Sequence, residues 1–287
     1  MSWGYRHSCP VIALVLSKIM RWFSSSAPAA KPVATVVRKE EPGPAPVPVV
    51  DVSRAGELLS VTGVNWNEAG QRQFVEQVLP QYVSQLAPLF LSEPFRGNPH
   101  CSPTDAAVLF AMIAQHEPTR LMEVGSGYST LVMAHAKRVR SLPGEVIAID
   151  PEPRIDVSEH VDAMVLRAVQ EVPVEDFTIM MRGELLLIDS THVYTRGNEV
   201  GYLLEKVLPA LPEGILLGFH GVRLPRNYTA EELRRGYSEQ EQILAYLRQR
   251  PGAQVLFSGG WMAEFHAGAV PAATKQDEES TALWVRI

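Results

Sequence analysis

Arg120-Leu121-Met122-Glu123-Val124-Gly125-Ser126-Gly127-Tyr128-Ser129-Thr130 packs a strand, a glycine bend and a helix start into one short stretch. Leu121 to Val124 is apolar except for one acid and reads as a buried strand. Gly125-Ser126-Gly127 breaks it, and a helical pattern opens at Tyr128. Together these make a cradle for a nucleotide-like ligand, because two glycines let the backbone approach where a Cβ would intrude. The Glu123 carboxylate at the strand end suits a ligand bearing an ammonium or hydroxyl donors, and repels a diphosphate.

A Gly-x-Gly alone is also an ordinary tight turn. Glu145-Val146-Ile147-Ala148-Ile149-Asp150 strengthens the ligand reading: it is a second apolar run ending in an acid, about one strand and helix further on, as in a βαβ unit. An acid at that strand tip can accept both hydroxyls of a ribose; otherwise it is a loop carboxylate or a helix cap. The dinucleotide fingerprint needs a third glycine where this chain has Thr130, and no Gly-Lys-Ser/Thr phosphate loop occurs, so NAD and ATP are disfavoured.

The stretch Glu123 to Thr130 resembles the first motif of class I S-adenosylmethionine-dependent methyltransferases, in the branch carrying Glu-x-Gly-Ser-Gly-x-Ser-Thr. The resemblance runs from about Asn65 to the C-terminus. It takes in Thr104-Asp105-Ala106, Asp150, Gln170-Glu171, Ile188-Asp189-Ser190-Thr191-His192 and Phe219-His220. It implies an α/β, Rossmann-like, seven-stranded, mostly parallel sheet with helices on both faces and an antiparallel last strand. It also implies S-adenosyl-L-methionine as cofactor, with Glu123, Gly125, Ser126, Gly127 and Ser129 at the methionine end and Asp150 on the ribose. Gln170 and Glu171 follow the third apolar run, where adenine would be read; a solvated loop is the equal alternative.

The periodicity is consistent with that architecture. Strands are expected at 120–124, 145–149, 163–167, 185–189, 214–220, 253–258 and 282–287, with helices at 103–116, 128–139, 156–160, 174–181, 199–211 and 231–249. Ser102 and Pro103 form a helix start. The short link between the last two runs favours an antiparallel closing pair. Residues 51–100 read as a helical lead-in interrupted near Pro80, and 101–287 as the Rossmann-like domain.

Residues 1–50 read as a disordered or targeting-like tail ending in a Pro-rich linker. The first 39 residues lack Asp and Glu but carry Arg6, Lys18, Arg21, Lys31, Arg38 and Lys39. That composition fits a plain tail on a cytoplasmic protein, or a presequence to the mitochondrial matrix. The apolar run Val11 to Leu16 is too short to span a bilayer. A net charge of −6 gives no electrostatic reason to expect nucleic-acid binding, and Cys9 and Cys101 form neither a disulfide framework nor a metal-ligand spacing.

Catalysis is expected from Asp189, His192 and His220. The fully apolar run Leu185 to Ile188 delivers Asp189 at a strand end, with His192 just beyond. An Asp and a His this close either bind a metal or form an oriented base; the plain alternative is a helix cap and a surface histidine. His220 ends another strand. The family branch usually has His-Asp there, whereas this chain has His220-Gly221, a thin ligand set for a divalent metal. The expectation is therefore metal-independent O-methylation of a small molecule by an Asp/His base. The alternative is a catalytically silent binding or assembly subunit with the same fold. Residues 221–237 are expected to form a flap whose arginines meet an anionic substrate or solvent.

Overall fold

The computed structural model describes residues 51–267 and 280–287. The expected tail and Pro-rich linker over 1–50 lie outside the described residues. Seven strands form one sheet: β1 (Arg120–Val124), β2 (Glu145–Ile149), β3 (Ala163–Val165), β4 (Leu185–Ile188), β5 (Leu216–Phe219), β6 (Gln254–Ser258) and β7 (Leu283–Arg286). Their order is β3-β2-β1-β4-β5-β7-β6. The first five named are parallel, and β7 lies antiparallel between β5 and β6. The fold is α/β and Rossmann-like, with the order reversing between β1 and β4, where such sheets open a ligand crevice at the strands' carboxyl ends.

β1 and β4 are central and buried on both faces, so their side chains alternate between two cores rather than between core and water. Leu121, Leu185 and Leu187 enter the core built with helices α1 (Pro103–His116) and α2 (Tyr128–Arg140) and the lead-in residues Phe74 to Phe95. Met122, Val124, Leu186 and Ile188 enter the opposite core, with Leu203, Val207, Ile243 and Leu247. Ser102 Oγ accepts the Asp105 amide at 3.0 Å with Pro103 next, the helix start expected from sequence.

Two helical runs change register ahead of a proline. In the lead-in, a π-helical turn (Phe74–Val78) precedes Pro80 and a 3-10 turn (Val83–Leu86) precedes Pro88; in the second run, a π turn (Leu203–Val207) precedes Pro209. Proline has no N–H to donate and its ring presses on the carbonyl one turn back, so the ladder shifts instead of stopping.

Three elements differ from the sequence expectation. The expected helix 231–249 is two helices, Ala230–Arg234 and α3 (Glu239–Arg248), separated at Gly236-Tyr237-Ser238. The short expected helix at 156–160 is a 3-10 turn, Ser158–His160. A helix at Gly259–Phe265, capped by Ser258 Oγ on the Trp261 amide, was hidden because Gly259-Gly260 reads as a turn. Among the described residues no helix is long and apolar enough to cross a membrane.

Candidate active site

The carboxyl ends of β1, β2, β4 and β5 deliver Glu123, Asp150, Asp189 and His220 to one edge of the sheet. Backbone bonds lock the ends together: Gly125 N–H donates to Ile149 O at 2.9 Å, Asp189 N–H to Val124 O at 2.9 Å and His220 N–H to Ile188 O at 3.0 Å. A cavity of about 40 Å³ opens there, between the glycine turn, α1 and β7. Among its lining groups are Ser126, Gly127, Ser129, Asp105, Asp189 and His220.

Gly125 has φ 83°, and a Cβ there would lie 1.9 Å from the Asp189 carbonyl oxygen. This glycine is required by the close approach of the β1 turn to the end of β4. Gly127 differs: a Cβ would meet nothing within 4 Å, so the turn faces open space on that side.

Glu123 is fully buried beneath the turn. Thr130 Oγ1 donates to its Oε2 at 2.6 Å and accepts the Gly127 amide, while Oε1 has no partner. Burial pushes the Glu123 carboxyl up to about 8, against the partial opposition of the Ser129 and Thr130 hydroxyls. Asp150 is turned inward: its Oδ2 accepts both the amide and the hydroxyl of Ser126 at 2.8 Å, and Oδ1 accepts the Glu152 amide at 2.9 Å. Neither acid lines the cavity. Gln170 is exposed on the 3-10 turn Val169–Glu171 and is not among the lining residues.

The β4 and β5 ends carry a chain of alternating acids and imidazoles. His220 Nδ1 lies 3.2 Å from Asp189 Oδ1, and its Nε2 lies 3.4 Å from Asp105 Oδ2. His192 Nε2 lies 3.6 Å from the same Asp189 Oδ1, and its Nδ1 is 2.7 Å from Glu239 Oε1. Burial lowers the His220 imidazole, but Asp189 and Asp105 outweigh it and hold the ring well above its ordinary value. Burial pushes Asp189 upward, yet His220, His192 and Arg154 bring it down to about 2. His192 is also raised, Glu239 overcoming the burial that opposes its charge. Lying between two carboxylates, His220 is held towards its imidazolium form.

Asp189, His192 and His220 present donor atoms within 4.8 Å of one another, close enough for one metal ion. One carboxylate and two imidazoles suit a transition metal and are poor for a hard cation. The departure at Gly221 has a local cause. Its φ is 74°, and a Cβ would meet the His192 ring at 2.4 Å, so the imidazole occupies the space of a side chain at 221.

Asp105 and Glu239 were not picked out as site residues from sequence. Asp105, within Thr104-Asp105-Ala106, reads from sequence as an acid in a capped first turn. Glu239 reads as mid-helix in the unbroken 231–249 pattern. Of the arginines expected to meet an anionic substrate or solvent, three pair with acids: Arg223 with Glu232 at 2.7 Å, Arg226 with Glu264 at 2.5 Å and Arg235 with Glu231 at 2.5 Å. Their segment is strapped to the start of the lead-in, with the Gly56 and Leu59 amides donating to Tyr228 O and Pro225 O.

The seven mostly parallel strands and the antiparallel β7 are those implied by the resemblance in the sequence. The chain has a Rossmann-like, seven-stranded, mostly parallel sheet closed by an antiparallel pair. No protein-family model matches it, and no curated protein does. Solved structures align at low identity. The O-methyltransferase TomG from Streptomyces achromogenes, in complex with SAM, is 14% identical over 74% of this chain and 89% of that one, with a TM-score of 0.41. An O-methyltransferase from Bacillus cereus, in complex with SAH, is 14% identical over 79% and 100%, with a TM-score of 0.38. The branched-chain polyamine synthase from Thermus thermophilus is 13% identical over 88% and 72%, with a TM-score of 0.41. Likenesses this remote add nothing to the strand order and do not bear on the reaction.

Proposed function

We propose that this protein is an S-adenosylmethionine-dependent O-methyltransferase acting on a small molecule. The observation that carries the reading is Glu123: a fully buried carboxyl with one oxygen unpartnered, directly under the glycine turn at the switch point. A buried carboxyl without a partner is costly, and a cationic ligand group is what would satisfy it. Gly127, open on its Cβ side, and Ser126, Ser129 and Asp150 would complete the hold; Asp150 would exchange its Ser126 bonds for ribose hydroxyls. When bound, the cofactor supplies a methyl group already activated on a sulfonium.

The remaining work falls to the second half of the site. An imidazolium is a poor base, so His220 serves as the fixed cation beside the reacting oxygen, and Asp189 keeps it in place. This favours an acceptor hydroxyl more acidic than an alcohol, such as a phenol or an enol, which gives its proton to solvent before transfer while the imidazolium beside it stabilises the oxyanion. His192 stands behind Asp189. The reaction is read as metal-independent.

Calorimetry with S-adenosylhomocysteine and with NAD tests the cofactor. Binding of the adenosyl ligand, weakened by Asp150→Ala, is expected; binding of NAD alone rejects the reading. Incubation with labelled cofactor and a panel of phenols and enols tests the reaction. Cofactor binding without transfer to any acceptor points to the silent binding or assembly subunit.

A further inference from the structure

Both histidines aim one ring nitrogen at a single oxygen, Asp189 Oδ1, and each has its other nitrogen against a different buried acid. The two outer acids come from separate helices, α1 for Asp105 and α3 for Glu239. We propose that Asp105 and Glu239 are positioning residues, which fix the two imidazoles so that His192 and His220 share Asp189 as one coupled unit. This holds whichever ligand the glycine turn takes.

The local structure on the Glu239 side is built around this contact. His192 sits at φ 63°, a left-handed conformation uncommon for a residue with a side chain. Its carbonyl accepts the Ser238 and Glu239 amides at 2.9 and 3.3 Å, so the backbone of the β4 loop is tied to the start of α3 while Glu239 takes the ring. The break at Gly236-Tyr237-Ser238 lets α3 begin at that point. Gly221 supplies the floor under the ring, and Tyr237 packs on it with centroids 4.6 Å apart. On the other side, Ser280 Oγ donates to Asp105 Oδ1 at 2.5 Å, leaving Oδ2 for His220.

The physical consequence is coupling. Asp189 neutralises part of the charge on each ring, and the two rings repel one another when both are protonated. Other titratable or charged groups acting on this unit are His100, Arg154 and Cys101, which line the same cavity, and the buried Glu123. A Glu239 that only filled a polar gap would affect His192 alone.

The test is histidine-selective ¹⁵N NMR on the full chain in EDTA, following the His192 and His220 ring nitrogens through a pH titration. Glu239→Gln removes the acid holding His192. The His192 midpoint is expected to fall, and the His220 midpoint, whose ring does not touch residue 239, to rise, because His192 no longer competes for Asp189. Asp105→Asn is expected to do the reverse, lowering His220 and raising His192. His135, outside the network, is the control and should not move. Where a variant does not fold, Ser280→Ala gives a milder perturbation of opposite sign: Asp105 loses one donor and holds His220 more strongly, so the His220 midpoint is expected to rise and the His192 midpoint to fall. Titration of His220 unchanged in Glu239→Gln, or both rings moving in the same direction in either acid variant, overturns the proposal.

Discussion

The two halves of the sheet's carboxyl edge are built on opposite principles. On the β1–β2 side, Glu123 keeps an oxygen without a partner and Asp150 is satisfied by Ser126 of the adjacent turn. On the β4–β5 side, every acid has an imidazole and each ring nitrogen faces an acid. The first half lacks a counter-charge, while the second already holds the charge arrangement it would work with. Unpartnered polar groups mark where binding energy is to be gained, and satisfied networks mark where geometry is fixed in advance.

The sharpest way to break the comparison is to separate the halves by mutation. Asp189→Ala should reduce methyl transfer by roughly 10³-fold or more while leaving S-adenosylhomocysteine affinity within about twofold. Single-turnover transfer and calorimetry read the two effects. A parallel loss of binding would mean that the halves are one site. Asp150→Ala should do the converse, weakening the adenosyl ligand by roughly 10- to 100-fold through lost hydroxyl contacts.

Next in size is a steric probe of the second half. Gly221→Asp places a side chain at φ 74° and on top of the His192 ring. A loss of roughly 2–3 kcal/mol is expected in denaturant unfolding, from backbone strain plus displacement of the imidazole. Native stability in this variant would mean that the ring is free to leave.

The unpartnered acid gives a pH signature. Glu123 has a folded value of about 8, above its unfolded one, so the folded state binds the extra proton. Its proton linkage favours folding at low pH, and that contribution is lost as pH rises from about 5 to 8, at up to about 1.4 kcal/mol per pH unit. Glu123→Gln should flatten the slope. Ligand binding at pH 7 should release a proton as Glu123 ionises against a cation, seen as a buffer-dependent calorimetric enthalpy. His220 has the complementary sign in activity: transfer should fall as pH rises through its elevated value, whereas a neutral imidazole base would make transfer rise through that same value. The smallest expected effect is that of a chelator, with EDTA changing the rate by less than about twofold.

Most of the first half was legible in the sequence because it is local. The strand, the bend and the capped helices are written in adjacent residues, and the apolar runs at β1, β2 and β4 have a length and composition that few other structures accommodate. The second half was legible only as far as strand ends reach. Asp189 and His220 follow from where two apolar runs stop. Asp105 and Glu239 do not, because they meet the histidines through the packing of helices far apart in the chain. Glu239 in particular depends on a break at Gly236 that helical periodicity runs straight across. Gln170 shows the limit of a strand-end argument: the position follows β3 as expected, and the 3-10 turn leaves its side chain exposed, as in the solvated-loop alternative.

The contact of Gly125 with the backbone of Asp189 gives the molecule a mechanical seam. At that spot the two loops touch main chain to main chain, with no side chain to cushion displacement. A guest settling on the first loop would therefore push directly on the anchor of the second. Even a methyl group grafted onto residue 125 would act as a wedge, prising apart the halves that the seam keeps in step.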